Sequence, residues 1–131
     1  TKFVEMRTRE VPPAPYEMAS LAECKTVELH KLCRAGMIAH TNAWLSRIYP
    51  DGGRTDSSNF DPSPMWSCGC HMVCLNYQTW DLGMRLNFSK FAHLNGNCGY
   101  VLKPEWMRTA YDVAAMQRLG VTVTAVEARS V

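Results

Sequence analysis

Between Glu23 and Ala39 the apolar residues Val27, Leu29, Leu32, Cys33 and Met37 recur at helical spacing, which predicts a helix with one broad apolar stripe. Tyr16–Leu21 reads as a short strand before it. Leu45–Tyr49 reads as a second strand, stopped by the turn chemistry of Pro50-Asp51-Gly52-Gly53. Asp61-Pro62-Ser63-Pro64 offers helix-start chemistry ahead of Met65-Trp66. Met72–Tyr77 is an apolar run with little alternation, the pattern of a strand buried on both faces. A long loop containing Asn95-Gly96-Asn97 should follow, then a fourth strand at Gly99–Leu102, closed by Pro104. Near the end, Leu119, Val121, Val123 and Ala125 alternate with Gly120, Thr122 and Thr124, the period of a half-exposed strand of another kind. At the start, Val11-Pro12-Pro13-Ala14-Pro15 forbids a helix and suits an extended linker end.

Four short strands interleaved with helix and loop are about half of what a (β/α)8 barrel of ~250 residues requires. Such a half exposes two strand edges and an apolar interior face. A hydrophobic content of 47% over 131 residues is that of a globular chain and excludes a disordered tail. The net charge of +2 leaves no electrostatic footprint for nucleic acid. No apolar run approaches the ~20 residues of a membrane helix. The charged start Thr1-Lys2-Phe3-Val4-Glu5 does not read as a signal peptide, and with no initiating Met it reads as a cut end.

Six cysteines raise a disulfide scaffold, but a chain able to build a core is read more simply as carrying reduced, buried thiols. Cys68-Gly69-Cys70-His71-Met72-Val73-Cys74 invites a zinc reading. In a strand, Cys70 and Cys74 face one side and His71 the other, and Cys98 stands alone, so no tetrahedral set is expected and no metal is assigned. His30, His40 and His93 have no accompanying nucleophile signature and read as surface or capping residues. Asp56-Ser57-Ser58-Asn59 reads as a loop brace.

The pair with chemical promise is Arg47 and Tyr49. Two apart in a strand, they share a face. A guanidinium facing a barrel interior is costly unless an anion meets it, and a phosphate matches its planar fork. Tyr49, toward the C-terminal end where barrel sites gather, offers a flat face for a polyol ring. Spacing alone favours the blander reading, a carboxylate partner for Arg47 and a core or rim place for Tyr49.

Taken in order, Leu45-Ser46-Arg47-Ile48-Tyr49-Pro50, Arg54-Thr55-Asp56-Ser57-Ser58-Asn59, Trp66, Gly69 through Thr79, and Gly99-Tyr100-Val101-Leu102-Lys103-Pro104 resemble the Y-box half of eukaryotic phosphoinositide-specific phospholipase C. The resemblance covers about residues 16–109. It implies an α/β fold, the C-terminal half of a (β/α)8 TIM barrel, with residues 1–15 ending the X–Y linker. Residues 110–131 would be a connector and the first strand of an all-β C2 sandwich. In the family, the Arg and Tyr of the Ser-Arg-Ile-Tyr-Pro block contact the inositol phosphate headgroup, which implies that role for Arg47 and Tyr49. A serine of the Met-(Ala/Ser)-Ser-Phe-Ser-Glu block also binds a ring phosphate, and Met18-Ala19-Ser20-Leu21-Ala22-Glu23 gives that role to Ser20.

The chain departs from the family at His71, where Gln is usual, and at Cys74, where Ala is common. It also has Gly53 where some members carry a rim tryptophan, which removes that apolar membrane contact and leaves Arg54 to meet an anionic surface. Lys103 is a family marker with a structural role. The resemblance further implies hydrolysis of phosphatidylinositol 4,5-bisphosphate to inositol trisphosphate and diacylglycerol, with calcium as Lewis acid. The catalytic histidines and calcium ligands are expected in the X half and not in this chain. Expected partners are that X half, the C2 domain and a phosphoinositide membrane, for a cytoplasmic, peripheral membrane protein. The alternative is a catalytically inactive relative that binds inositol phosphates or scaffolds other proteins.

Overall fold

The computed structural model describes residues 16–108. The expected linker end at 1–15 and the alternating strand at 119–125 lie outside the described residues. Within them the order is β1 (Met18–Ala22), α1 (Glu23–Ala43), β2 (Leu45–Tyr49), α2 (Ser63–Ser67), β3 (Met72–Val73), α3 (Leu82–His93), a 3-10 turn at Asn95–Asn97, and α4 (Glu105–Arg108). The strands form one parallel sheet in the order β1-β2-β3. Parallel neighbours require a crossover, which α1 supplies between β1 and β2. The class is therefore α/β. No helix among the described residues is long and apolar enough to cross a membrane.

Strand alternation divides the sheet into two faces. Ala19 and Leu21 of β1 and Ser46 and Ile48 of β2 point to the helices and are buried. Leu21 and Ile48 join Leu29 and Met37 of α1, Met65 of α2, and Phe60, Cys68 and Cys70 in one core. The opposite face carries Met18, Ser20, Leu45, Arg47, Tyr49 and Met72. It stays open, with Met18, Leu45 and Met72 respectively 43%, 48% and 38% exposed.

The apolar stripe expected on α1 is only partly the buried face. Leu32 is 74% exposed, while Thr26, His40 and Thr41 are buried. The two threonine hydroxyls reach buried positions because their donors are used: Thr26 Oγ1 donates back to the Ala22 carbonyl at 3.0 Å, and Thr41 Oγ1 donates across to the Cys68 carbonyl at 2.7 Å, 27 residues away. Cys33 leaves helical geometry (φ −153°, ψ 53°), which rotates the two halves of the helix out of one continuous stripe.

Two strand expectations need correction. β3 covers only Met72–Val73, not Met72–Tyr77. Cys74 N–H still donates to the Ile48 carbonyl at 2.8 Å, but Asn76 N–H is taken at 2.6 Å by the Asn59 side chain and leaves the ladder. Residues 99–102 form no strand. Asn95 Nδ2 donates to the Tyr100 carbonyl at 3.2 Å, Gly99 sits at φ +79°, and Tyr100 and Leu102 are exposed. Side-chain bonds to the backbone compete here with a ladder that has no neighbouring strand among the described residues to receive it.

Candidate functional site

The parallel register sets Ser20 directly beside Arg47 and Ala22 beside Tyr49. All three predicted substrate-binding residues thus meet on the open face. Arg47 Nη1 donates to Ser20 Oγ at 3.2 Å. The Arg47 guanidinium carbon lies 5.3 Å from the centroid of the Tyr49 ring. Both contacts fix the direction of the guanidinium, and neither partner carries a negative charge. The half-buried fork can therefore accept an oxyanion. Ser20 Oγ, accepting from Arg47, keeps its own proton to donate.

Arg54 is differently placed. Its Nε donates to Glu23 Oε1 at 2.5 Å and its Nη2 to Glu23 Oε2 at 3.1 Å. The expectation that Arg54 serves an anionic surface is corrected: its fork is already filled by a buried carboxylate. This contact and the hydrogen bond foremost raise the guanidinium's affinity for its proton. Glu23 was missed as a partner because 31 residues separate the two and no local pattern joins them.

Asp56-Ser57-Ser58-Asn59 braces its loop as expected. Asp56 Oδ1 accepts from Ser58 N–H at 3.1 Å. Asn59 Nδ2 reaches the Asn76 and Thr79 carbonyls at 3.1 and 3.2 Å. Asn59 N–H donates to Asp81 Oδ2 at 2.7 Å.

The histidines and thiols do not assemble a metal centre: among the described residues no group of three or more His, Cys, Asp and Glu side chains is placed to hold an ion. All six cysteines are free thiols. Burial pushes the Cys70 thiol up to about 11, which disfavours the thiolate needed for ligation or attack. His40 was read as a surface or capping residue and is instead buried, its ring 5.4 Å from that of Trp44 and its pKa lowered by burial.

His71 joins Ser46 and Lys103 at the opposite, N-terminal end of β2 and β3. Lys103 Nζ lies 2.8 Å from His71 Nε2 and donates to the Thr41 carbonyl at 2.7 Å. An ammonium can only donate, so Nε2 accepts and the imidazole proton sits on Nδ1, 3.4 Å from Ser46 Oγ. This gives Lys103 its structural role: it ties the end of α1 to the start of β3. Partial burial first, then the charge of Lys103, lowers the His71 pKa to about 4. The folded chain therefore resists a proton that the unfolded chain takes up below about 6.5. The stability this supplies is complete above pH 6.5 and is lost as pH falls toward 4. Solvent at the exposed ring edge screens it to about 1 kcal/mol. Denaturant titrations should show His71→Gln, which keeps the acceptor, flattening the fall in stability over that window. An unchanged slope would remove His71 from the acid response.

The chain matches the family described as phosphatidylinositol-specific phospholipase C, Y domain, over residues 1–106. It is 52% identical over 94 residues to the 1-phosphatidylinositol 4,5-bisphosphate phosphodiesterase gamma plc-3 of Caenorhabditis elegans, covering 72% of this chain and 7% of that protein. It is 45% identical over 107 residues to the beta-4 phosphodiesterase of Homo sapiens, covering 82% of this chain and 9% of that protein. The crystal structure of L. pealei PLC21 superposes with a TM-score of 0.73 at 38% identity, over 83% of this chain and 14% of that one. The chain thus spans less than a tenth of the length of either curated relative.

Proposed function

We propose that this chain, which belongs to the phosphatidylinositol-specific phospholipase C family through its Y domain, is the headgroup-holding part of an enzyme that hydrolyses phosphatidylinositol 4,5-bisphosphate to inositol trisphosphate and diacylglycerol. The observation that carries the reading is the meeting of Ser20, Arg47 and Tyr49 on one open sheet face. Arg47 presents a planar fork to a ring phosphate, Ser20 adds a hydroxyl donor, and Tyr49 gives the inositol ring a flat platform. These groups orient the headgroup, and their contribution to rate is positional. The names of the relatives, which act as 4,5-bisphosphate phosphodiesterases, support this substrate.

The finer architecture belongs to the same proposal. Among the described residues β1 and β3 are the edges of the sheet, and the open face carries Met18, Leu45 and Met72. The X half of a (β/α)8 barrel would cover both, and residues 99–102 would become a strand when that half supplies a neighbour. A C2 domain beginning within 110–131 would follow. The described residues do not fit calcium, since they bring no ligand set together. Calcium ligands and catalytic histidines are assigned to the X half, and no step in this chain passes through the ion. The enzyme would work as a peripheral protein at the cytoplasmic face of a membrane.

The test is hydrolysis of phosphatidylinositol 4,5-bisphosphate by this chain alone, by this chain co-expressed with its X half, and by the intact protein. No turnover by the chain alone and turnover by the other two is expected. Turnover by the isolated chain would refute the division of labour. Headgroup binding by the intact protein without turnover would identify an inactive relative.

A further inference from the structure

The backbone ladder between the two strands that bear the headgroup residues ends at Ala22 beside Tyr49. Beyond that point β1 turns into α1 and β2 runs into the 50–58 loop, so no backbone pairing holds the two chains together at the end where a ligand would approach. The side chains of Glu23 and Arg54 take over there. Glu23 is the first residue of α1, three after Ser20, and is only 7% exposed. It receives both Nε and Nη2 of Arg54, five residues after Tyr49, and its Oε1 also accepts from Asp51 N–H at 3.2 Å. Arg54 Nη1 continues to Ser58 Oγ at 2.9 Å. Asp51 in turn accepts from Gly53 N–H at 2.8 Å and faces Cys24 Sγ at 3.3 Å. One buried carboxylate thus ties the exit of β1 to Asp51 and Arg54 along the exit of β2, and through Arg54 to Ser58.

We propose that Glu23 and Arg54 are positioning residues that hold the C-terminal ends of β1 and β2, and with them Ser20, Arg47 and Tyr49, in the spacing that fits a phosphorylated inositol ring. This rests on the reading of those three side chains as the headgroup site. The clamp touches no reacting atom. Its effect should appear in substrate discrimination, because a phosphate must meet Arg47 and Ser20 together and an unphosphorylated ring need not. The pair is suited to this because a bidentate guanidinium–carboxylate contact constrains orientation as well as distance.

The experiment uses the intact enzyme and measures kcat/KM on phosphatidylinositol 4,5-bisphosphate and on phosphatidylinositol for E23Q, R54A, R54K and R47A, and for the double variant E23Q/R47A. The ratio of the two efficiencies should fall about five- to tenfold in E23Q and R54A, mainly through KM on the bisphosphate lipid, with R54K between them and the parent. Inositol trisphosphate binding by calorimetry should weaken in parallel. Because the clamp acts through Arg47, E23Q should change the ratio little once Arg47 is Ala, a non-additivity that a stability defect does not produce. Equal losses on both lipids tracking the melting temperature, or full additivity in the double variant, would overturn the clamp. Should E23Q fail to fold, R54K with R54K/R47A gives the same two readouts. An R47A enzyme that loses both lipids equally would instead overturn the headgroup site itself.

Discussion

Replacing Arg47 with alanine in the intact enzyme is expected to lower catalytic efficiency on phosphatidylinositol 4,5-bisphosphate by roughly one to two decades, and far less on unphosphorylated phosphatidylinositol. The guanidinium is held by Ser20 Oγ at 3.2 Å and lies over the Tyr49 ring, so its direction is set before any ligand arrives. A ring phosphate would complete the fork with charge-assisted hydrogen bonds, whose loss costs about 1.5–3 kcal/mol. The unphosphorylated lipid has no such group to lose. Arg47→Lys should recover only part of the effect, because an ammonium reproduces the charge without the fork. The variant also removes a cation–ring contact of about 0.5–1 kcal/mol, so a thermal melt must accompany the kinetics. Equal losses on the two lipids in a stable variant would leave Arg47 a structural residue.

How far the sequence reaches depends on whether a feature is local. β2 matches its expected limits to the residue, since the turn chemistry of Pro50 and the Gly52-Gly53 pair leaves no freedom at the C-terminal end. α1 begins at Glu23 as expected but runs to Ala43, four residues beyond the expected Ala39. Its last turn is buried through His40 and Thr41, which an apolar count does not see. α3 was read as loop. Its signals were present in Asp81, which caps Met84 N–H at 3.1 Å, and in Lys90 and His93 of the last turn. Gly83 and a scattered apolar pattern masked them. Arg47 and Tyr49 were legible as one face from their spacing of two. Ser20 joins them only through the parallel register, 27 residues away, and no periodicity encodes that. The contacts of Glu23 with Arg54 and of His71 with Lys103 belong to the same class: specific, long-range and without a local signature.

Gly83→Ala should destabilise the protein by about 2–3 kcal/mol, although Ala is ordinarily the better helix former by about 1 kcal/mol. Gly83 lies in the first turn of α3 and is buried. A Cβ there would stand 2.5 Å from the Phe60 carbonyl oxygen and 3.0 Å from Asn59 Cβ. Neither neighbour can retreat cheaply. Asn59 is fixed by its N–H to Asp81 Oδ2 at 2.7 Å and by Nδ2 to Asp81 Oδ1 at 3.1 Å. Asp81 Oδ1 also caps α3 through Met84 N–H. Moving the loop to admit a methyl group would strain the network that holds both the loop and the helix start, and the steric term outweighs propensity. The matched control is Gly52→Ala, where an added Cβ meets nothing within 4 Å and stability should stay within about 0.5 kcal/mol. Thermal melts of the two variants in the intact protein decide the matter. A melting temperature for Gly83→Ala at or above the parent's would mean that the Phe60 loop yields and that helix propensity wins at this position.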